Sequence, residues 1–132
     1  MENKNALLRY HIFWLALGWM WITMVIFLSL TSHPLEIDVT SGDKIGHTLA
    51  YGFLMLWFVQ LYPPRPIKFS IALGLIALGI AIEFAQEQTA YRRFEVGDMG
   101  ADAIGVAMGL LLGETALAHG LRRIERLLKV LR

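Results

Sequence analysis

The stretch IFWLALGWMWITMVIFLSL, residues 12–30, contains no charged side chain. Because an α-helix rises about 1.5 Å per residue, a run of this length covers the roughly 30 Å hydrocarbon core of a bilayer. Lys4 and Arg9 precede it, as basic residues precede the core of a signal peptide. The run is longer than a typical signal-peptide core, however, and no small-residue cleavage site follows it. We therefore expect an uncleaved transmembrane helix over about residues 11–30.

Three more apolar runs follow along the chain. The second covers residues 45–62 and ends at the PPRP segment, residues 63–66, because proline removes a backbone donor and disfavours helix before it. The third and fourth cover about residues 68–85 and 99–118. The sequence therefore predicts an all-α fold, a polytopic membrane protein whose four transmembrane helices form one small bundle over residues 1–132.

The composition also favours a membrane location. Hydrophobic residues make up 56% of the 132 residues, too much apolar surface for a soluble domain of this size to bury. The chain has no cysteine, which excludes disulfides, a thiolate nucleophile and cysteine-ligated metal centres. The lipid bilayer is the expected partner, and no nucleic-acid partner is predicted.

Basic residues are distributed unevenly between the two ends of the predicted helices. One end collects Lys4, Arg9, Arg65, Lys68, Arg122, Arg123, Arg126, Lys129 and Arg132. The other end has only Lys44, Arg92 and Arg93. Because loops rich in lysine and arginine stay in the cytoplasm, both termini are predicted to be cytoplasmic.

The tail, residues 119–132, contains the basic segment LRRIERLLKVLR. Leu121, Ile124 and Leu128 share one face of a helix over this segment, with arginines on the other faces. Such a helix suits the surface of an anionic leaflet. The alternative is a solvated extension that only fixes the topology, since the segment is short for an isolated helix.

Polar residues gather at the outer ends of the second, third and fourth helices. They are Asp43, His47 and Tyr51 on the second, Glu83 and Gln86 on the third, and Asp98 and Asp102 on the fourth. Glu36, Asp38, Glu87 and Glu95 also fall on this outer side but are not selected as site residues. His47, Glu83 and Asp102 each lie four residues, or about 6 Å, inside their helix end. Ionisable residues within spans usually face the bundle interior or a wet cavity. The spacing therefore predicts a polar pocket on the outer side.

These side chains are suited to proton transfer and anion binding. The candidate catalytic residues are Asp43, His47, Glu83, Asp98 and Asp102, and the candidate substrate-binding residues are Lys44, Tyr51, Gln86 and Arg93. His47 is predicted to act as a general base or acid that a carboxylate orients, while Lys44 and Arg93 bind phosphate or carboxylate groups. The acidic groups and the histidine could also hold a divalent metal. No H-E-x-x-H or comparable spacing fixes one, so no metal site and no cofactor are assigned.

Each of these residues also has a purely structural interpretation. Asp43 alone suits a helix cap, and His47 alone suits a hydrogen-bonded interior histidine. Glu83 and Gln86 suit an interfacial helix end. What favours a site is that several such groups, on three helices, share one depth and one face.

Three segments resemble the VanZ-like family of bacterial membrane proteins. DKIGHTLAY, residues 43–51, is similar to the family's D-K-x-x-H-x-x-x-Y segment, and GIAIEFAQ, residues 79–86, to its E-x-x-Q segment. RRFEVGDMGADAIGVAMG, residues 92–109, resembles its third segment, which ends in G-x-x-x-G. The likeness covers about residues 40–113, and Asp102 stands where the family often has asparagine. It implies a small multi-pass protein of the bacterial cytoplasmic membrane, with a possible link to glycopeptide (teicoplanin) resistance.

Three functions follow from these features and stay open. The first is an envelope enzyme, or a relative of one, that acts on a lipid-linked or wall-associated substrate. The second is a non-catalytic accessory or scaffold protein whose polar cluster binds a ligand or locks the bundle. Transport is the weakest, because no inverted repeat or broken helix is visible. The sequence leaves the oligomeric state open.

Overall fold

The computed structural model describes residues 8–32 and 42–131 of the chain. Its helices are α1 (His11–Leu30), α2 (Gly42–Leu61), α3 (Arg65–Glu87), α4 (Val96–Leu112) and α5 (Gly120–Val130), with a 3₁₀ turn (Ala116–His119) before α5. No strand occurs in the described ranges, and the predicted all-α fold is confirmed. Lys4, Glu36, Asp38 and Arg132, which the sequence assigned to one side or the other, lie outside the described residues.

Two helices, α1 and α3, are each long and apolar enough to cross a membrane, as expected of a membrane protein. A third candidate is α4 taken together with the 3₁₀ turn and α5, although the pair is bent by 74°. The remaining predicted spans fall short for two reasons. The polar residues in the first turns of α2, such as Asp43 and His47, dilute its apolar run, and α4 alone has only 17 residues.

The fourth predicted span is also shorter than expected, since α4 ends at Leu112 and not near residue 118. Thr115 interrupts the helix because its hydroxyl oxygen accepts a hydrogen bond from the backbone N–H of Leu117, 3.3 Å away, and opens the 3₁₀ turn. Short polar side chains compete with helical hydrogen bonds in this way. The chain therefore changes direction before α5.

The centre of the fold is the parallel pair α2 and α4, whose backbones touch. A methyl group on Gly105 would collide with the carbonyl oxygen of Thr48, and one on Gly109 would collide with the carbonyl oxygen of Gly52. The small-xxx-small spacing of α4 permits this close approach. Leu54, which also lies on α2, is buried in the core.

The helices alternate in direction, so that two ends of the bundle can be distinguished. At one end, the Nζ atom of Lys68 lies 2.9 Å from Oε1 of Glu114. At the same end, the Glu125 carboxylate accepts hydrogen bonds from the backbone N–H groups of Arg9 and Tyr10, both at 2.9 Å, and from the indole of Trp14 at 2.8 Å. These bonds join the start of α1 to α5. The predicted pocket residues lie at the opposite end.

Candidate functional site

The site is built around the imidazole of His47, which projects from α2 toward α4. Its Nδ1 atom lies 2.8 Å from Oδ1 of Asp102, and its Nε2 atom lies 3.7 Å from Oδ2 of Asp98. The two aspartates are one helical turn apart on α4 and only 2% and 5% exposed. With Asp102 ionised its carboxylate can only accept, and Nδ1 is then the donor of this bond while Nε2 faces Asp98.

Lys44 completes the charge arrangement at the outer edge of the site. Its Nζ atom donates to Oδ1 of Asp98 at 3.2 Å and to Oε2 of Glu95 at 3.0 Å. Asp98 therefore contacts an ammonium group through one oxygen and faces the His47 imidazole with the other. This pairing compensates the buried negative charge.

Two buried polar atoms behind the imidazole find no hydrogen-bond partner among the described residues. They are the Oε1 atom of Glu83 and the hydroxyl of Tyr51. The other oxygen of Glu83 accepts the backbone N–H of Glu95 at 3.0 Å, which ties α3 to the start of α4. A buried unpaired polar atom costs free energy, and where such atoms gather they commonly mark a functional site or ordered water.

A cavity of about 250 Å³ opens beside His47, between the end of α1, the start of α2 and the end of α3. Its polar lining includes Asp43, His47, Gln86 and Arg92, and its apolar lining includes Val25 and Leu28 of α1. Tyr51 also lines it. The cavity is therefore lined by both charged and apolar side chains, a combination that suits an amphipathic ligand.

The arginine that reaches the cavity is Arg92, whereas the sequence analysis selected Arg93. Arg92 is half-buried, one of its terminal nitrogens lies 3.4 Å from the carbonyl oxygen of Leu28, and its Nε is buried without a partner among the described residues. Arg93 is exposed and does not line the cavity. The two arginines lie between α3 and α4, where no helical periodicity distinguishes adjacent residues.

Gln86 has two roles at the cavity. It lines the wall, and its Nε2 atom donates to the carbonyl oxygen of Ser29 at 2.8 Å. That bond ties the end of α3 to the end of α1. Gln86 is buried as a result, and its orientation is fixed.

Three groups at the mouth of the site are spaced to hold a cation. Asp43, His47 and Asp98 each offer one ligand atom, and these atoms lie within 4.8 Å of one another. Carboxylate and imidazole are ligands that divalent metals use. Lys44 opposes this, since its ammonium already contacts Asp98. No metal role is assigned to these residues.

The structure brings together His47, Asp98 and Asp102, with Lys44 beside them, Glu83 and Tyr51 behind them and Asp43 at the exposed edge. The contact between His47 and Asp102 agrees with their predicted common depth. Glu95 was missed as a member of the cluster. Glu95 precedes α4, which begins at Val96, so no helical periodicity indicated its contact with Lys44.

Comparison with known proteins finds a relative without a stated activity and does not show a family. No family model matches the chain, and no solved structure matches it. An uncharacterized protein of Schizosaccharomyces pombe is 26% identical over 109 residues, which cover 80% of this chain and 65% of the relative. The chain therefore spans 65% of that protein's length, and it is similar to a protein whose name states no activity.

Proposed function

We propose that the protein is a four-span membrane protein that binds the anionic headgroup of a lipid-linked or cell-envelope substrate in the cavity beside His47, and that His47 transfers a proton to or from it. The observation that carries this proposal is the fixed imidazole. His47 is held by Asp102 at 2.8 Å and lines a cavity that contains both charged and apolar side chains.

Packing supports four spans where hydropathy alone yields fewer. α2 has 20 residues and is about 30 Å long, the thickness of the hydrocarbon core. It packs along α4 through backbone contacts at Gly52 and Gly105, and both α1 and α3 pack against it. If α1 and α3 cross the bilayer, α2 and α4 cross it beside them, because the four helices pack against one another. The polar residues of α2 face protein and cavity, where lipid need not solvate them.

The basic residues support an outward-facing cavity. Arg65 and Lys68 lie at the end opposite the cavity, together with the arginines of α5. Because the basic end of a membrane protein faces the cytoplasm, the cavity end faces outward. This proposal includes the resemblance to VanZ-like proteins, a location in a bacterial cytoplasmic membrane, and a link to glycopeptide resistance.

The roles of the side chains follow from their chemistry. Arg92 lines the cavity, and its guanidinium is a group that binds phosphate or carboxylate through two parallel hydrogen bonds. His47 exchanges a proton through Nε2, since Nδ1 is held by Asp102. Val25 and Leu28 line the side of the cavity that receives the apolar part of the ligand.

Ligand binding can be tested with a matched pair of variants at the adjacent residues Arg92 and Arg93. The purified protein would be reconstituted in phosphatidylcholine nanodiscs with a polyisoprenyl phosphate or, as the uncharged counterpart, the matching polyisoprenol. Bound lipid would be measured by native mass spectrometry. We expect the protein to retain the polyisoprenyl phosphate and not the polyisoprenol. Binding of the phosphate should fall at least about tenfold in Arg92→Gln, as for a lost charge-assisted hydrogen bond, and should not change in Arg93→Gln. Equal losses in both variants would contradict the proposal.

The accessory role remains the second candidate, and one observation favours it. Lys44 joins α2 to Glu95 and Asp98, and Glu83 joins α3 to the same region, so the cluster also holds three helices together. His47→Gln in cells separates the two roles. Normal abundance with an altered profile of lipid-linked wall precursors or altered teicoplanin sensitivity supports proton transfer. Normal abundance with neither change supports the accessory role, and loss of the protein indicates a structural lock.

A further inference from the structure

The last helix does not continue the direction of the bundle. α5 is bent by 74° from α4, so it runs across the end of the bundle. Two contacts hold it there. The backbone N–H of Leu121 donates to Oε1 of Gln60 at 2.9 Å, and the Glu125 carboxylate binds the start of α1 through three hydrogen bonds. A helix fixed crosswise at the end of a membrane bundle lies near the plane of the leaflet.

One side of α5 is apolar and only its first residue is covered. Leu121 is buried against the bundle, at 3% exposure. Farther along the same face, the exposed fractions are 44% for Ile124, 64% for Leu127, 48% for Leu128 and 83% for Leu131. A stripe of large apolar side chains with this exposure is a surface that a partner or a membrane covers.

The charge on α5 identifies the partner. Arg122, Arg123, Arg126 and Lys129 occupy the remaining faces of the helix. Arg65 and Lys68 lie at the same end of the bundle, which makes this end strongly basic. An apolar stripe bordered by lysine and arginine on a helix parallel to the membrane is the pattern of an interfacial helix on anionic lipid.

We propose that α5 is an anionic-lipid-binding helix. Its apolar stripe enters the boundary between headgroups and acyl chains, and the exposed Arg123 and Lys129 contact lipid phosphates of the leaflet at the basic end of the bundle. This assignment excludes the reading in which α4 and α5 form one broken span. It is independent of the cavity, which lies at the opposite end.

The absence of cysteine makes a site-specific test simple. Leu127→Cys and Lys129→Cys place an environment-sensitive NBD label on the apolar and basic sides of the helix in the full-length protein. Leu73→Cys, on an exposed position of α3, serves as the lipid-facing control. The proteins would be reconstituted in phosphatidylcholine vesicles with or without phosphatidylglycerol. The readouts are the NBD emission maximum and quenching by aqueous iodide.

We expect the label at position 127 to shift to the blue and lose iodide quenching in the phosphatidylglycerol vesicles, while the label at position 129 stays accessible to iodide. Replacing Arg123 and Lys129 by glutamine should lower the bound-to-free ratio of α5 about fivefold per charge. Full iodide access at position 127 in anionic vesicles would overturn the proposal. Equal protection of position 127 in vesicles with and without phosphatidylglycerol would also overturn it. Leu131→Cys, at the exposed end of the helix, gives the same readout with the least disturbance of folding.

Discussion

His47 and Asp102 are 55 positions apart in sequence, yet their side chains meet at 2.8 Å between two parallel helices. Asp102 also packs against α3, because a Cβ atom added to Gly79 would collide with its carboxylate. A single carboxylate thus orients the imidazole on one side and fills the space above a glycine on the other. The first two predictions concern this contact.

Asp102→Asn should release the Nδ1 proton of His47 from a charged acceptor. The amide oxygen is a neutral and weaker acceptor than a carboxylate, so the preference for the Nδ1–H form should fall. The measurement is the ¹⁵N chemical shifts of the imidazole in histidine-labelled protein, with His47→Gln used to assign the signal among the four histidines. An unchanged tautomer in Asp102→Asn would show that the aspartate does not set it.

Gly79→Ala should disturb the same contact without altering either partner. The added methyl displaces the Asp102 carboxylate, so the His47 signal should shift toward that of Asp102→Asn. Gly74→Ala is the matched control on the same helix, since nothing lies within 4 Å of a Cβ there. The same ¹⁵N measurement applies. Identical spectra for the two alanine variants would contradict the packing of Asp102 on α3.

Gly105→Ala should destabilise the bundle by about 1 to 3 kcal/mol, because the methyl forces apart two backbones in contact. Gly100→Ala on the same helix meets nothing within 4 Å and should be neutral or stabilising by about 0.5 to 1 kcal/mol, since alanine favours helix over glycine. Unfolding in mixed detergent micelles measures both. Equal stability of the two variants would argue against direct contact between α2 and α4.

The pair of Lys68 and Glu114 should make stability depend on pH. The hydrogen bond and charge of Lys68 hold the pKa of Glu114 below its ordinary value of 4.5. A lowered folded pKa means that the contribution is complete above about pH 4.5 and is lost as the pH falls through the folded value. The difference in unfolding free energy between wild type and Glu114→Gln should therefore disappear in acid. A difference that stays constant as the pH falls would show that this pair does not contribute to stability.

Glu125→Ala should free the start of α1. Three donors lose a charged acceptor, which we expect to cost about 1.5 to 3 kcal/mol. Hydrogen exchange should rise at the Arg9 and Tyr10 amides and in α5, while the cavity end is unchanged. Glu87→Ala removes an exposed carboxylate and controls for the change in charge. Unaltered protection at Tyr10 in Glu125→Ala would show that this link does not hold α5.

Local periodicity explains which parts of the site could be predicted. His47 and Asp102 were found because each lies on a helix whose apolar pattern fixes the face and the depth. Arg92 could not be separated from Arg93, since no periodicity orients residues between helices. Glu125 gave no signal, because it accepts from backbone N–H groups 115 and 116 residues away, which no side-chain pattern reveals.

Helix bounds were less predictable where hydropathy and polarity conflict. The apolar run continues to Ala118, but the chain bends after Leu112, where Thr115 offers a competing hydrogen bond. In α2 the conflict between hydropathy and polarity is resolved the other way, and the helix extends beyond the apolar run. The polar residues near Asp43 suggested a later start at residue 45, whereas the helix begins at Gly42 because the cluster on α4 supplies their partners.

The hydrogen bond from Trp14 to Glu125 connects residues 111 positions apart. During synthesis from the amino end, α1 emerges from the ribosome and enters the bilayer before its acceptor has been translated. Until every later helix has been made, water takes the place of Glu125 as the acceptor for the exposed Arg9 and Tyr10 amides. Closure of the bundle is therefore a late event in biogenesis, and a chain stopped after α4 would keep an open amino-terminal end that quality-control proteases could recognise.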